Sequence, residues 1–426
     1  MSSNHNLRLM TMITERLSTL FQSISSNTAI PPSAATTSLK QAAQATTKQP
    51  KSTTEKSQYK RSSAPTALPL AKILTTKLFP LSTTQSFKDF QSRHDLETSQ
   101  TNLLSLLKDT LPSSKEYQVI KTEIGEGRIL NEVMIKPKDV PYDQLNHFVM
   151  IHGYGAGLGF YLKNFEGITS ANDNWCLHSL DSLGYGLSSR PDFVNADEFD
   201  EWFVDSLETW RQERGIKDMY LCCHSMGAIG GTQYALKYSD SVKKLMFVSP
   251  AAIVKPTPEP VSPWWLHPLW EANISPFALI RNAGPWGSMV TSGWTNRRFA
   301  KLSSREQELL HCYAYRVFNA KGSGEYFMSS ILSPGAVPKN PILYSHVANL
   351  KCDTVWVYGD EDWMPKEGGL TAVEILRNKG FDAEYKEVSD SGHHLYLDNY
   401  KEFNQLVNLE LKEFDSKFGV PAAGKS

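Results

Sequence analysis

The feature that most limits what this chain can fold into is a serine at the tip of a strand, followed at once by small residues. Met219–Cys223 is an apolar run of strand character, Cys223-His224-Ser225-Met226-Gly227 is a turn, and Ala228, Gly230 and Gly231 begin a helical stretch. A serine on so sharp a turn takes a strained backbone conformation, and its neighbours must be small for the turn to close. The segment reads as a G-x-S-x-G nucleophile elbow with Cys223 in place of the first glycine. Cysteine is only slightly larger than alanine, so the turn tolerates it.

An elbow needs a parallel sheet around it, and the flanking sequence supplies the pattern. Glu116–Ile124 and Leu130–Ile135 read as strands joined by a Gly125-Glu126-Gly127 hairpin turn. Short apolar runs then alternate with helical stretches: Phe148–Ile151, Trp175–Leu180, Met219–Cys223, Leu245–Val248 and Val355–Tyr358, with a later strand at Tyr385–Val388. Runs of that kind predict βαβ units and a mostly parallel α/β sheet. Residues 253–350 interrupt the repeat by far more than a crossover helix needs. The interruption carries Trp264, Trp265, Trp270, Trp286 and Trp294, and is expected to form a helical lid inserted before the acid-bearing strand. The core is thus divided into 115–252 and 351–418, with a linker and helical extension at 63–114 and a tail at 419–426.

A serine hydroxyl becomes a useful nucleophile only when a histidine takes its proton, and a carboxylate must fix that histidine's tautomer. Behind an elbow these partners follow in the order Ser, Asp, His. Val355–Tyr358 ends in Gly359, with Asp360, Glu361 and Asp362 directly beyond. Ser391-Gly392-His393-His394 follows the last strand, with His393 lying 31 residues past Asp362. The expected base is His393, with His394 the lesser candidate. His152-Gly153-Tyr154-Gly155 after Phe148–Ile151 offers an oxyanion hole, its donors the backbone amides of Tyr154 and of Met226, the residue after the nucleophile. The glycines at 153–159 lack the Lys-Ser/Thr of a P-loop, which excludes nucleotide binding there.

With these segments in place, the chain resembles the α/β-hydrolase superfamily, specifically its prolyl-aminopeptidase-like group, over roughly residues 115–415. The resemblance rests on His152-Gly153-Tyr154, Asp181-x-x-Gly184-x-Gly186-x-Ser188, the Ser225 elbow, Gly359-Asp360-Glu361-Asp362-Trp363-Met364 and Gly392-His393. In that group the acid commonly lies three residues after the strand-end glycine, which favours Asp362 over Asp360. The Asp362-Trp363-Met364 segment, Gly392-His393-x-x-x-x-Asp398 and Trp286-Gly287 look like one branch: the fungal mitochondrial cardiolipin-specific deacylases, together with the lipid-droplet coactivators of triglyceride lipase. The resemblance implies a serine esterase that removes an acyl chain from a phospholipid such as cardiolipin, without cofactor or metal. The same branch associates His393 and Asp398, an H-x₄-D pattern, with acyl-CoA-dependent lysophosphatidic acid acyltransfer. Asp398 also stands where a C-terminal helix begins, at Asn399 to about Phe414, and reads as its N-cap ahead of the acyltransferase role. Arg297-Arg298 in the lid reads as a solvated helix face, with phosphate recognition as the other option.

Composition adds bounds. Formal net charge is −1, yet residues 1–88 carry eleven Lys/Arg against Glu15 and Glu55, leaving the remainder at −10. Such a balance gives no reason to expect a nucleic-acid partner. Residues 1–62 are hydroxyl-rich and acid-poor, with Leu7, Met10, Ile13, Leu17, Leu20 and Ile24 at helical spacing beside Arg8 and Arg16. That is the pattern of a mitochondrial transit peptide on an otherwise unstructured leader, the resemblance implying the matrix side of the inner membrane; a lipid droplet or the cytoplasm is the alternative. Five cysteines with no C-x-x-C pair disfavour both a disulfide framework and a zinc site. No stretch approaches 18 consecutive apolar residues, so peripheral membrane contact is expected rather than a span.

Overall fold

The central strands are buried on both faces, which is why they read as unbroken apolar runs rather than as alternating ones. The computed structural model describes residues 79–418 apart from Trp265, all within one unit, Ile73–Ser426. The basic leader expected at 1–62 lies outside the described residues. The main sheet has eight strands in the order β1-β2-β4-β3-β5-β6-β9-β10. These are β1 (Lys115–Glu123), β2 (Ile129–Pro137), β3 (Asn146–Ile151), β4 (Trp175–Leu180), β5 (Met219–His224), β6 (Val242–Val248), β9 (Asp353–Gly359) and β10 (Ala383–Val388); β7 (Leu332–Ser333) and β8 (Val337–Pro338) form a separate two-stranded pair. β1 and β2 join the sheet antiparallel and the rest run parallel. The hairpin turn has positive φ at Gly125, Glu126 and Gly127 and is closed by Ile124 N–H donating to Arg128 O at 2.9 Å.

Side chains alternate across the strands and so divide the core in two. Phe148 and Met150 of β3 enter one apolar cluster, while Val149 and Ile151 enter the other. The 253–350 insertion holds the helices Leu266–Glu271, Pro276–Asn282, Gly287–Arg298 and Ser304–Asn319. The last of these starts at a capping box, Ser303 with Glu306, and turns Leu310, Tyr313, Ala314 and Val317 into the same cluster as Phe148. The inserted helices therefore share a core with the sheet. Their outer side is less covered: Trp264 is 83 % exposed and Trp286 40 %.

Upstream of β1, the helix Thr83–Gln91 is stitched to the insertion by polar bonds. Ser86 Oγ donates to Pro285 O at 2.6 Å and accepts from Met289 N at 3.0 Å, and Ser288 Oγ donates to Asp89 Oδ2 at 2.5 Å. His311 completes this buried cluster, its Nε2 3.1 Å from Ser288 Oγ and its Nδ1 2.8 Å from Thr295 Oγ1. Burial pushes the Asp89 carboxyl up, but hydrogen bonds from His311, Ser288 and Gln85 outweigh that and hold it below its ordinary value.

The C-terminal helix, Tyr400–Phe418, corrects one expectation. Its N-cap is Asn399, whose side chain accepts from Glu402 N at 3.4 Å, and not Asp398. Asp398 ends the preceding short helix Leu395–Asp398, and its carboxylate bonds Gly392 N and Arg298 Nη1.

Candidate active site

Ser225 sits where β5 meets the helix Gly227–Lys237, with φ of 52°, a conformation costly for a residue with a side chain. Two backbone bonds hold it there: Ser225 N–H donates to Val248 O at 3.0 Å and Ser225 O accepts from Ala251 N at 3.1 Å. The small neighbours have identifiable reasons. A Cβ on Gly227 would lie 2.6 Å from His152 O, and one on Gly231 would lie 2.4 Å from Cys223 Sγ. Gly231 thus leaves the space that the Cys223 sulfur fills, and this is how the elbow accommodates a cysteine where glycine is usual.

His393 Nε2 lies 2.8 Å from Ser225 Oγ, within hydrogen-bond reach. On the other side of the ring, His393 Nδ1 is 3.4 Å from Asp362 Oδ1. That distance is longer than a normal hydrogen bond, and Nδ1 has no hydrogen-bond partner among the described residues. The Asp362 side chain is fully buried and its Oδ1 accepts from Met364 N at 3.1 Å. Asp360, the rival acid, points elsewhere. Its carboxylate accepts from Asp390 N at 3.1 Å and Ser391 N at 2.9 Å, fastening the loop that carries His393. Gly359 is needed at the same crossing, because a Cβ there would lie 2.1 Å from Ser391 O.

Two further histidines surround the base. His224 Nε2–H donates to His393 O at 2.9 Å, and burial drives its pKa far below the usual histidine range, so the ring is neutral. The role of His224 is not evident from sequence, where it fills only a variable position of the elbow. His394 is also kept neutral, first by burial and then by the nearby Arg298 cation. Its ring packs against His224 and Tyr396.

The loop after β3 lies directly on the elbow, since a Cβ on Gly153 would fall 2.8 Å from both His224 Nδ1 and Ser225 Cβ. This brings the Tyr154 and Met226 segments together beside the serine. His152 pins the loop: its Nε2 accepts from Ser182 N at 3.1 Å, which leaves Nδ1–H to donate to Gly153 O at 2.8 Å. Asp181 anchors the neighbouring turns by accepting from Leu158 N at 2.8 Å, Leu187 N at 2.9 Å and Asn131 Nδ2 at 2.8 Å. Above the loop, Phe277 of the insertion packs so tightly that a Cβ on Gly155 would lie 2.2 Å from its ring.

Of the Arg297-Arg298 pair, only Arg298 departs from the solvated face expected of it. Arg298 Nη1 binds Asp398 Oδ1 at 3.1 Å and Oδ2 at 3.2 Å, while Arg297 is exposed. A group able to hold a metal also exists where spacing offered no sign of one. His147, Cys176 and His178 are buried on one face of β3 and β4, with ligand atoms within 4.8 Å of one another. His147 Nδ1 and His178 Nε2 are 3.1 Å apart and share a hydrogen bond between the two rings.

A nucleophile raised on a strand-to-helix turn of a parallel sheet, with its base on a loop after the last strand, defines the α/β hydrolases as a class. Residues 146–400 match the family described as alpha/beta hydrolase fold, and the chain belongs to that family. It is 32 % identical over 325 residues to a 1-acylglycerol-3-phosphate O-acyltransferase of Arabidopsis thaliana, covering 72 % of this chain and 75 % of the relative. It is 31 % identical over 270 residues to a (lyso)-N-acylphosphatidylethanolamine lipase of Homo sapiens, covering 61 % of this chain and 77 % of the relative. Among solved structures, the bromoperoxidase of Bacillus anthracis matches with a TM-score of 0.51 at 18 % identity, covering 69 % of this chain and all of that one (100 %). That likeness concerns the fold.

Proposed function

We propose that this protein is a serine hydrolase that cleaves an acyl ester of a phospholipid. The observation that carries this reading is the 2.8 Å approach of His393 Nε2 to Ser225 Oγ, with Asp362 behind the ring. Ser225 attacks the acyl carbonyl while His393 takes its proton, and Asp362 holds the imidazole in the tautomer that can accept it. The Tyr154 and Met226 amides stabilise the tetrahedral oxyanion, and the leaving alcohol receives the proton back from His393. Water then attacks the acyl-serine with His393 again as base. No step needs a metal or an organic cofactor.

Relatives named for lysophosphatidate acylation and for N-acylphosphatidylethanolamine hydrolysis support a glycerophospholipid substrate. Within that class the reading is cardiolipin deacylation in mitochondrial phospholipid remodelling, on the motif resemblance and the basic leader. Contact with the bilayer would be peripheral: no helix among the described residues is long and apolar enough to cross it. Purified protein should release fatty acid from vesicles of phosphatidylcholine and tetraoleoyl cardiolipin, and Ser225→Ala should not. A Ser225→Ala variant that retains hydrolysis overturns the reading.

The second reading is an acyl-CoA-dependent acyltransferase, favoured by the name of the Arabidopsis thaliana relative and by Asp398 beside the His393 loop. Acyl-CoA and lysophosphatidate supplied to the same protein separate the two. Phosphatidate formed equally by Ser225→Ala would assign transfer without an acyl-serine. A third reading, a lipase coactivator without chemistry of its own, has no need for the Ser225–His393 contact. The compartment is tested by fusing residues 1–62 to a reporter, expected in mitochondria.

A further inference from the structure

Asp398 is six residues from Gly392 in sequence, but its carboxylate faces back onto the loop that carries the base. Its Oδ2 accepts from Gly392 N at 3.0 Å, and Gly392 directly precedes His393. Other polar groups of that loop are fixed on its other sides: Asp360 holds the Asp390 and Ser391 amides, and His224 holds the His393 carbonyl. Three of these contacts belong to the sheet side of the molecule. Two contacts come from the insertion: Lys301 Nζ donates to Asp390 O at 3.1 Å, and Asp398 is shared with Arg298 at the end of the helix Gly287–Arg298, next to the base itself.

The pair is well placed to matter. The Asp398 side chain is 10 % exposed and that of Arg298 23 %, so their attraction is screened far less than that of a surface pair. Arg298 Nε is buried without a hydrogen-bond partner, which makes the Nη1 contact with Asp398 the anchor of the guanidinium. Without Arg298 the Asp398 carboxylate would be a partly buried, unpaired charge. It would gain solvation by rotating toward water, and so release the Gly392 amide.

From this arrangement we infer that Arg298 and Asp398 are positioning residues: seating of the inserted lid helix sets the Gly392–His393 backbone, and through it the aim of His393 Nε2 at Ser225. The H-x₄-D spacing then serves the hydrolytic base itself, and Asp398 needs no contact with substrate. The inference rests on the serine-hydrolase reading and adds to it a mechanical link between lid and base.

The experiment uses purified full-length protein with p-nitrophenyl butyrate, a soluble ester whose turnover does not depend on capture of a lipid surface. A fluorophosphonate that labels Ser225 counts the folded, competent sites. Asp398→Ala and Arg298→Gln should each lower kcat by about tenfold or more, because small misplacements of a reacting group cost up to about 10²-fold. KM should stay within about twofold, since neither residue touches the substrate. Asp398→Asn should recover activity relative to Asp398→Ala, because its amide oxygen still accepts from Gly392 N–H. Arg298→Lys should recover part of the loss in Arg298→Gln. The double variant Arg298→Gln/Asp398→Ala should be no worse than its weaker parent, as expected of two residues acting through one contact. Wild-type kcat in Asp398→Ala, a loss confined to KM, or multiplying losses in the double variant would each overturn the link. Hydrolysis surviving in Ser225→Ala would overturn the parent reading and the link with it. A silent Ser225→Ala beside an unaffected Asp398→Ala would overturn the link alone.

Discussion

Replacing Gly231 by alanine tests the account of the elbow directly. Alanine in a helix interior normally gains about 1 kcal/mol over glycine. Here the new methyl would sit 2.4 Å from Cys223 Sγ and 3.3 Å from Cys223 Cβ, in a region where Cys223 is fully buried. Forcing a methyl into a filled core costs about 1–3 kcal/mol, so Gly231→Ala should be destabilising by up to about 2 kcal/mol after the helical gain. Cys223→Ala removes the sulfur and should alone cost about 1 kcal/mol, like other small core deletions. Combined, the alanine methyl at 231 occupies the space the sulfur left, and only the 3.3 Å contact remains to be relieved by a small shift. The double variant should therefore be more stable than the sum of its parents by about 1–2 kcal/mol, a coupling expected of residues in contact. Guanidinium denaturation of the four proteins gives the cycle, and fluorophosphonate labelling of Ser225 reports whether the turn keeps its shape. A Gly231→Ala protein at least as stable as wild type, or strictly additive effects, would refute the packing argument.

Three further outcomes follow from the site and its surroundings. Ser225→Ala should reduce ester hydrolysis by about 10³-fold or more; Asp362→Asn should be severe and Asp360→Asn milder, because Asp360 bonds only loop amides, and steady-state rates would show the reverse order if Asp360 were the acid. The Asp89 carboxyl, held below its ordinary value of 3.8, stabilises the fold above that pH and loses its contribution as pH falls through the lowered value. Guanidinium denaturation should accordingly show wild type ahead of Asp89→Asn at pH 6 and the gap closing toward pH 3; a constant gap refutes it. Burial pushes the Cys222 and Cys223 thiols well up, so neither should react with iodoacetamide at pH 8 until the protein is unfolded, as mass spectrometry of the digested protein would show.

Much of the site is local in character and therefore legible in the chain. The elbow needs its strand, serine and small residues within about a dozen consecutive positions, and the hairpin at Gly125-Glu126-Gly127 needs only three. The Ser, Asp, His order followed from where late strands end, since a loop after a strand delivers its residues to one edge of a parallel sheet. The preference for Asp362 over Asp360 came from the family resemblance, and the structure places Asp362 behind His393 and Asp360 under the loop.

Contacts between distant segments were another matter, because spacing along a chain says little about which side chains meet across it. Cys223 looked like a compromise until Gly231 was found beside its sulfur. Asp398 fitted a helix cap by position, but the helix begins at Tyr400 and is capped by Asn399, and Asp398 meets an arginine 100 residues away. The Arg297-Arg298 pair looked solvated because helical periodicity cannot reveal an acid approaching from the base loop. His147, Cys176 and His178 show the same effect, brought together only by the register of β3 against β4. Sequence alone determined the elbow and the strands, which depend on backbone geometry over a few residues, and pointed to Ser225, Asp362 and His393 as the candidate triad. Tertiary structure alone decided what holds His393 in aim, because that depends on side chains carried in by separate crossovers and packed at fixed distances.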